Sequence, residues 1–96
     1  VVMSDMGRAP QLNSDLGKDH WPYSSAMIIS PKILLSRSIG SYDENFMGTA
    51  LDPISGEIFS GGEVITASNF GATILDMMSV DWRKYLPNSM SIGGLF

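Results

Sequence analysis

The sequence has no cysteine and a single histidine, His20. Lacking cysteine, the chain can form no disulfide, thiolate metal ligand or thiol nucleophile. The compartment stays open, because many secreted proteins also lack disulfides. Positive charge is scarce: six Lys and Arg stand against ten Asp and Glu, for a formal net charge of −4. That balance argues against a nucleic-acid surface, which needs a basic stripe, and weakens attraction to anionic membranes. No apolar run approaches the roughly 20 residues that cross a bilayer, so no transmembrane segment is expected. Also missing are a P-loop, a dinucleotide fingerprint, a zinc-finger spacing, a serine nucleophile elbow and any internal repeat.

What remains is a globular composition. Ninety-six residues, 44% hydrophobic and 17% charged, fit a folded chain. This length allows one small domain that buries roughly two-thirds of its unfolded surface. The chain opens directly on Val1-Val2-Met3. A buried strand at the first residue leads to the expectation that residues 1–96 form a single partial domain, the C-terminal piece of a larger α/β protein.

Residues 1–4 form an apolar run bounded by Asp5 and Gly7, the pattern of a buried strand in a parallel sheet. Residues 5–25 read as a long loop punctuated by Pro10, Asn13, Gly17 and Pro22. Loops of this length inside compact domains are usually functional or disordered, and Trp21 and Tyr23 argue for order. Residues 26–29 suggest a second strand, closed by Ser30-Pro31, and residues 33–38 an extended segment. Residues 50–58 have hairpin chemistry, with Pro53 pre-setting φ and Gly56 suited to a left-handed bulge. This hairpin is expected to be a surface flap.

The helix signal falls at residues 67–80, where Phe70, Ile74, Met77 and Met78 share one face. Thr66 is the expected N-cap. Gly71 costs about 1 kcal/mol relative to alanine inside a helix, which points to close packing against a sheet. Residues 81–86 suggest a short helical turn ended by Pro87, and the apolar tail 89–96 is expected to dock on the body.

Two polar turns carry the candidate chemistry. Asp5 lies just past the first strand, at the edge where open α/β sheets bind ligands. It is a candidate metal ligand or base; position alone favours the alternative, a turn residue bonding nearby amides. Arg8 can fork onto a phosphate, sulfate or carboxylate, or pair with Asp5 or Asp15 to stiffen the loop. His20, beside Asp19, can ligate a metal, with the neighbouring carboxylate orienting it; the alternative is a packing residue beside Trp21. Ser24-Ser25 is not read as a nucleophile. The seven methionines read as core filler, and Asp43, Glu44, Asp52 and Glu57 as solvated turn charges.

Taken together, residues 2–10, Leu12-Asn13 and Gly17-Lys18-Asp19-His20-Trp21-Pro22 resemble the bacterial family called domain of unknown function 1501. That family lies in the alkaline-phosphatase-like superfamily, which includes sulfatases. Its members show a strand, an acid-Phe-Gly-Arg-Thr-Pro turn and a Gly-Arg-Asp-His-Trp-Pro loop. Ile39-Gly40-Ser41-Tyr42-Asp43-Glu44, Asp52-Pro53, Ser55-Gly56-Glu57, Ala72-Thr73-Ile74-Leu75 and Val80-Asp81 extend the resemblance to nearly the whole chain.

The resemblance implies the C-terminal part of an α/β/α sandwich with a mostly parallel sheet. In active superfamily members two metal ions sit at the C-terminal sheet edge, held in part by an Asp-His-Gly turn and a later histidine. Asp5 and His20 fall at the aspartate and the later histidine, so they are the expected ligands of a divalent metal (zinc, manganese or calcium). Met6 falls where the superfamily has histidine, and a thioether is a poor ligand for such a dication. Arg8 is the expected contact for an anionic small-molecule ester.

The nucleophile and remaining ligands would lie upstream, in a missing N-terminal part of the same chain that serves as a partner. Alone, the piece would expose sheet edges and aggregate or bind that part. The expected function is phosphate- or sulfate-ester hydrolysis. The alternative is a non-catalytic binding or scaffold protein with a degenerate metal site, its loop stapled by Asp5, Arg8, Asp19 and His20. Resemblance favours a periplasmic or secreted location.

Overall fold

Every strand in the chain is two residues long, and every pairing is antiparallel. The computed structural model describes residues 1–96 as two compact units, residues 1–30 and 31–96. In the first unit β1 (Val2–Met3) pairs with β4 (Ala26–Met27), in register Val2↔Met27 and Met3↔Ala26. Inside that pair nests β2 (Gly7–Arg8) against β3 (His20–Trp21), in register Gly7↔Trp21 and Arg8↔His20. The unit is therefore one long chain reversal with a break in its ladder.

Residues 4–6 face residues 22–25 across that break, one residue fewer on the first side than on the second. Pro22, with no N–H to donate, sits where the ladder stops.

This arrangement overturns the parallel α/β/α sandwich. Parallel neighbours need a crossover of a dozen or more residues, usually a helix. The only α-helix lies beyond all four strands, so no strand–helix–strand unit exists. Residues 1–4 are correspondingly not a buried strand: Val1, Val2 and Met3 are all more than half exposed, as are Met27 and Ile29. Residues 33–38 form no strand, and of residues 26–29 only the first two do.

The second unit is built around α1 (Ala67–Met77). Thr66 caps it as expected, in a reciprocal box: Thr66 Oγ1 accepts from the Asn69 amide and Asn69 Oδ1 accepts from the Thr66 amide at 2.9 Å. The helix stops short of residue 80 because Ser79 adopts φ 61°. Its amide bonds Asp76 O (2.8 Å) and the Val80 amide bonds Leu75 O (2.9 Å), the paired bonds of a Schellman end. No basic residue occupies the last turn. Instead Lys32 Nζ donates to Met77 O at 2.5 Å and to Ser79 Oγ at 3.0 Å, supplying the missing cation from a distant segment.

The buried stripe of α1 is Asn69, Ala72, Thr73 and Met77. Phe70 and Ile74 are half-buried, and Met78 is exposed. The inward face is thus turned away from the expected apolar row, because two polar side chains hold the tail. Thr73 Oγ1 accepts from the Ile92 amide at 2.8 Å while donating to Asn69 O at 2.7 Å. Asn69 Nδ2 donates to Met90 O at 3.1 Å. Gly71 meets Leu86 rather than a sheet: an added Cβ would lie 3.4 Å from Leu86 Cδ1. A 3₁₀-helix, Trp82–Lys84, packs beside α1 with Trp82 buried.

The hairpin at 50–58 forms, with Leu51 paired to Ile58, Gly56 at φ 76° and the Gly56 amide bonded to Asp52 O. It is no flap. The Gly93 amide bonds Pro53 O at 2.6 Å, and Arg37 binds Glu57 (2.7 Å), Ser55 O and Gly94 O, fastening the tail beneath the turn. Leu51, Ala72, Met77, Trp82 and Ile92 make the apolar core of this unit.

Two tests follow from these contacts. Thr73→Val keeps the shape but leaves the buried Ile92 amide without an acceptor, so chemical denaturation should register a loss of roughly 1–3 kcal/mol. Asp52 is the second. Bonds from the Ile54 amide first, and then from the Ser55 hydroxyl, hold its carboxyl below the ordinary value, against a smaller desolvation effect. Stability from this turn is therefore full above the unfolded aspartate range and lost as pH falls through the depressed folded value. Asp52→Asn should flatten that acid limb in a pH series of melting curves.

Candidate functional site

The predicted site residues fall on the inner ladder of the first unit and its flanks. The Ala9 amide bonds Asp19 O at 2.9 Å, extending the ladder by one step. That bond makes Arg8↔His20 a non-hydrogen-bonded pair, the position where facing side chains stand closest, with Cα atoms typically about 4.5 Å apart. Directly opposed residues share a face, and alternate residues along each strand return to it. Arg8 and His20 therefore share one face, and alternation continued two residues before β3 would return Lys18 to it. Asp19, Ala9 and Trp21 belong to the other. Lys18 Nζ donates to Pro10 O at 3.3 Å, a bond across the loop between β2 and β3.

Arg8 is exposed, and its Nη1 donates to Lys18 O at 3.2 Å. Arg8 has no part in the ion pairs Arg37–Glu57 and Arg83–Asp81 and pairs with neither Asp5 nor Asp15. Its carbonyl bond fixes the guanidinium without neutralising it, leaving donors for an anion. His20 is exposed as well.

Asp5 stands apart. It lies between β1 and β2, where its Oδ1 accepts from the Met6 amide at 2.8 Å and Ser4 Oγ donates to Met6 O. The register brings Arg8 opposite His20, not Asp5. No group of three or more His, Asp or Glu side chains converges anywhere in the chain. Asp5 and His20 thus fit a metal only as a partial set needing ligands from outside these residues, and the guanidinium facing His20 opposes a second cation there.

Asn13, expected only to punctuate the loop, organises it. Asn13 Oδ1 accepts from the Asp15 and Gly17 amides at 3.0 and 2.9 Å. Its backbone closes the same ring, with Asn13 N to Gly17 O and Leu16 N to Asn13 O, and Leu16 takes φ 60°. Asn13 Nδ2 then donates to Asp19 Oδ1 at 2.8 Å. Lys18 was overlooked, although Lys18-x-His20 alternation opposite Arg8 was the available signal. Of the four residues expected to staple the loop, Arg8 and Asp19 do so. Asp5 braces only its own turn.

No family model, curated protein or solved structure matches the chain. A cavity of about 250 Å³ lies in the second unit against Trp82, Asp76 and Phe96 and contains none of the predicted site residues.

Gly7 permits the whole arrangement. A Cβ there would sit 1.8 Å from Tyr23 O, an impossible overlap with backbone. Gly7→Ala should therefore abolish the cross-strand NOEs between residues 7–8 and 20–21. At Gly17 an added Cβ meets only the Asn13 side chain, at 3.6 Å. Gly17→Ala should keep those NOEs and change stability by less than about 0.5 kcal/mol.

Proposed function

We propose that the Arg8–Lys18–His20 face recognises the anionic group of a phosphate or sulfate ester, in a protein that hydrolyses such esters. The observation that carries this reading is the register, which sets Arg8 opposite His20, while Lys18 reaches the Pro10 carbonyl across the same loop and the neighbouring acid, Asp19, is bonded to Asn13. The resemblance of residues 2–22 to the alkaline-phosphatase-like family supports it independently. Arg8 supplies forked donors to two ester oxygens, Lys18 a movable point charge, and His20 an N–H donor. Donors already in place would stabilise charge gathering on those oxygens during displacement.

A divalent ion, when bound, would polarise an ester oxygen or activate water. This chain offers it Asp5 and His20. The remaining ligands and the nucleophile would come from elsewhere.

A second reading, a non-catalytic binder of the same anions, draws support from Met6 beside Asp5 and from the absence of a three-donor cluster. The two readings share the anion and differ in metal uptake.

Calorimetric titration with inorganic phosphate and sulfate, followed by zinc, manganese and calcium, separates them. Phosphate binding weakened about tenfold in Arg8→Ala, with metal uptake lost in Asp5→Ala, supports the hydrolase. Equal phosphate binding without metal uptake, and with no ester turnover in the full-length protein, supports the binder. An Arg8→Ala variant that binds phosphate as tightly as the parent contradicts both.

A further inference from the structure

The five-residue ring at Asn13 occurs twice in the chain. At residues 43–47 Asp43 Oδ1 accepts from the Asn45 and Met47 amides at 2.8 and 3.0 Å. The Asp43 amide bonds Met47 O, the Phe46 amide bonds Asp43 O, and Phe46 takes φ 59°. Bond for bond this is the ring of residues 13–17, built with aspartate. The turn therefore needs only an acceptor oxygen at its first position. Asparagine at 13 adds something the turn does not use, an amide N–H, and the structure gives that N–H to Asp19 Oδ1 at 2.8 Å.

We infer that Asn13 determines the ligand charge of the Arg8–Lys18–His20 face by holding the Asp19 carboxylate away from it. This inference rests on the anion-binding reading above. Arg8 Nη1 already lies on the carbonyl of the Lys18–Asp19 peptide at 3.2 Å, so the carboxylate next along the chain is placed to compete for that guanidinium. Strand alternation starts Asp19 on the opposite face, but Asp19 lies beyond the two-residue strand β3, where the ladder alone enforces little. The Asn13 amide finishes the separation, with the acid on one side and uncompensated bases on the other. Asn13 is a positioning residue: it touches no ligand and acts through Asp19.

The test is a charge-matched swap. Asn13→Asp keeps the acceptor the ring needs, as Asp43 demonstrates, but cannot donate to Asp19. Ser14→Asp adds the same charge to the same loop without touching the Asn13–Asp19 bond. The double variant Asn13→Asp/Asp19→Asn restores the bond with donor and acceptor exchanged, at the parent's net charge.

Inorganic phosphate is the titrant, at low ionic strength. An Arg8–Asp19 pair of ordinary surface strength would leave a minority of molecules competent. Asn13→Asp should therefore bind about two- to fivefold more weakly than Ser14→Asp, and the double variant should recover parental affinity. Equal affinities for Asn13→Asp and Ser14→Asp, or no recovery in the double variant, overturn the inference.

The Arg8 side-chain Nε–Hε signal gives a reading that needs no ligand. Its exchange should slow in Asn13→Asp alone, and unchanged exchange counts against the inference. A parent chain that binds no phosphate while this exchange shift appears overturns the anion-binding reading and leaves the Asn13 clamp standing.

Discussion

Most of this chain is irregular backbone, whose N–H and C=O groups are met individually rather than by a helix or sheet ladder. A few short polar side chains meet them. Asn13 and Asp43 close five-residue rings, Asp52 closes a hairpin, and Thr73 with Asn69 binds the tail to the helix. Two long cations extend the same service across the sequence: Lys32 meets the open end of α1, and Arg37 joins the 52–57 turn to Gly94. Apolar burial is modest by comparison, with five buried hydrophobic residues in the second unit and Ala9 in the first, so these bonds decide which conformation the segments adopt.

The candidate site inherits this dependence. Its two strands contribute only four residues, too few to fix side-chain directions by themselves. What fixes them is the close approach at Gly7, the break at Pro22 and the Asn13 ring that carries the chain into Lys18 and His20. Charge on the loop is sorted at the same time. The bonds that shape the backbone also decide which side chains face one another, so fold and ligand preference share the same residues.

Signals confined to a few neighbouring residues were legible in the sequence. The Thr66 cap, the helix near residue 70, the Pro53–Gly56 hairpin and the helical turn at Trp82 all rest on local periodicity or turn chemistry, and all are present. The docking of the apolar tail was legible as well. Strand partnership was not. Val1-Val2-Met3 has the composition of a buried parallel strand, but composition does not say whether the next strand arrives through a helical crossover or a direct reversal. Here it arrives by reversal. The inward face of α1 was misjudged for a related reason, since apolar spacing marks Met78 while the tail selects Thr73. Sequence marks Asn13 only as a turn residue, because its spare N–H acquires meaning only once Asp19 lies beside it.

The central claim is that an anion binds between Arg8 and His20, and the chain's single histidine makes it directly observable. A proton–nitrogen correlation spectrum of the imidazole shows one side-chain spin system, followed as inorganic phosphate is added at constant pH and ionic strength. The account predicts saturable shifts of the His20 ring nitrogens and the Arg8 Nε–Hε signal along one common binding curve. Shifts that saturate elsewhere while both signals stay still, or no saturable shift at all, would contradict it.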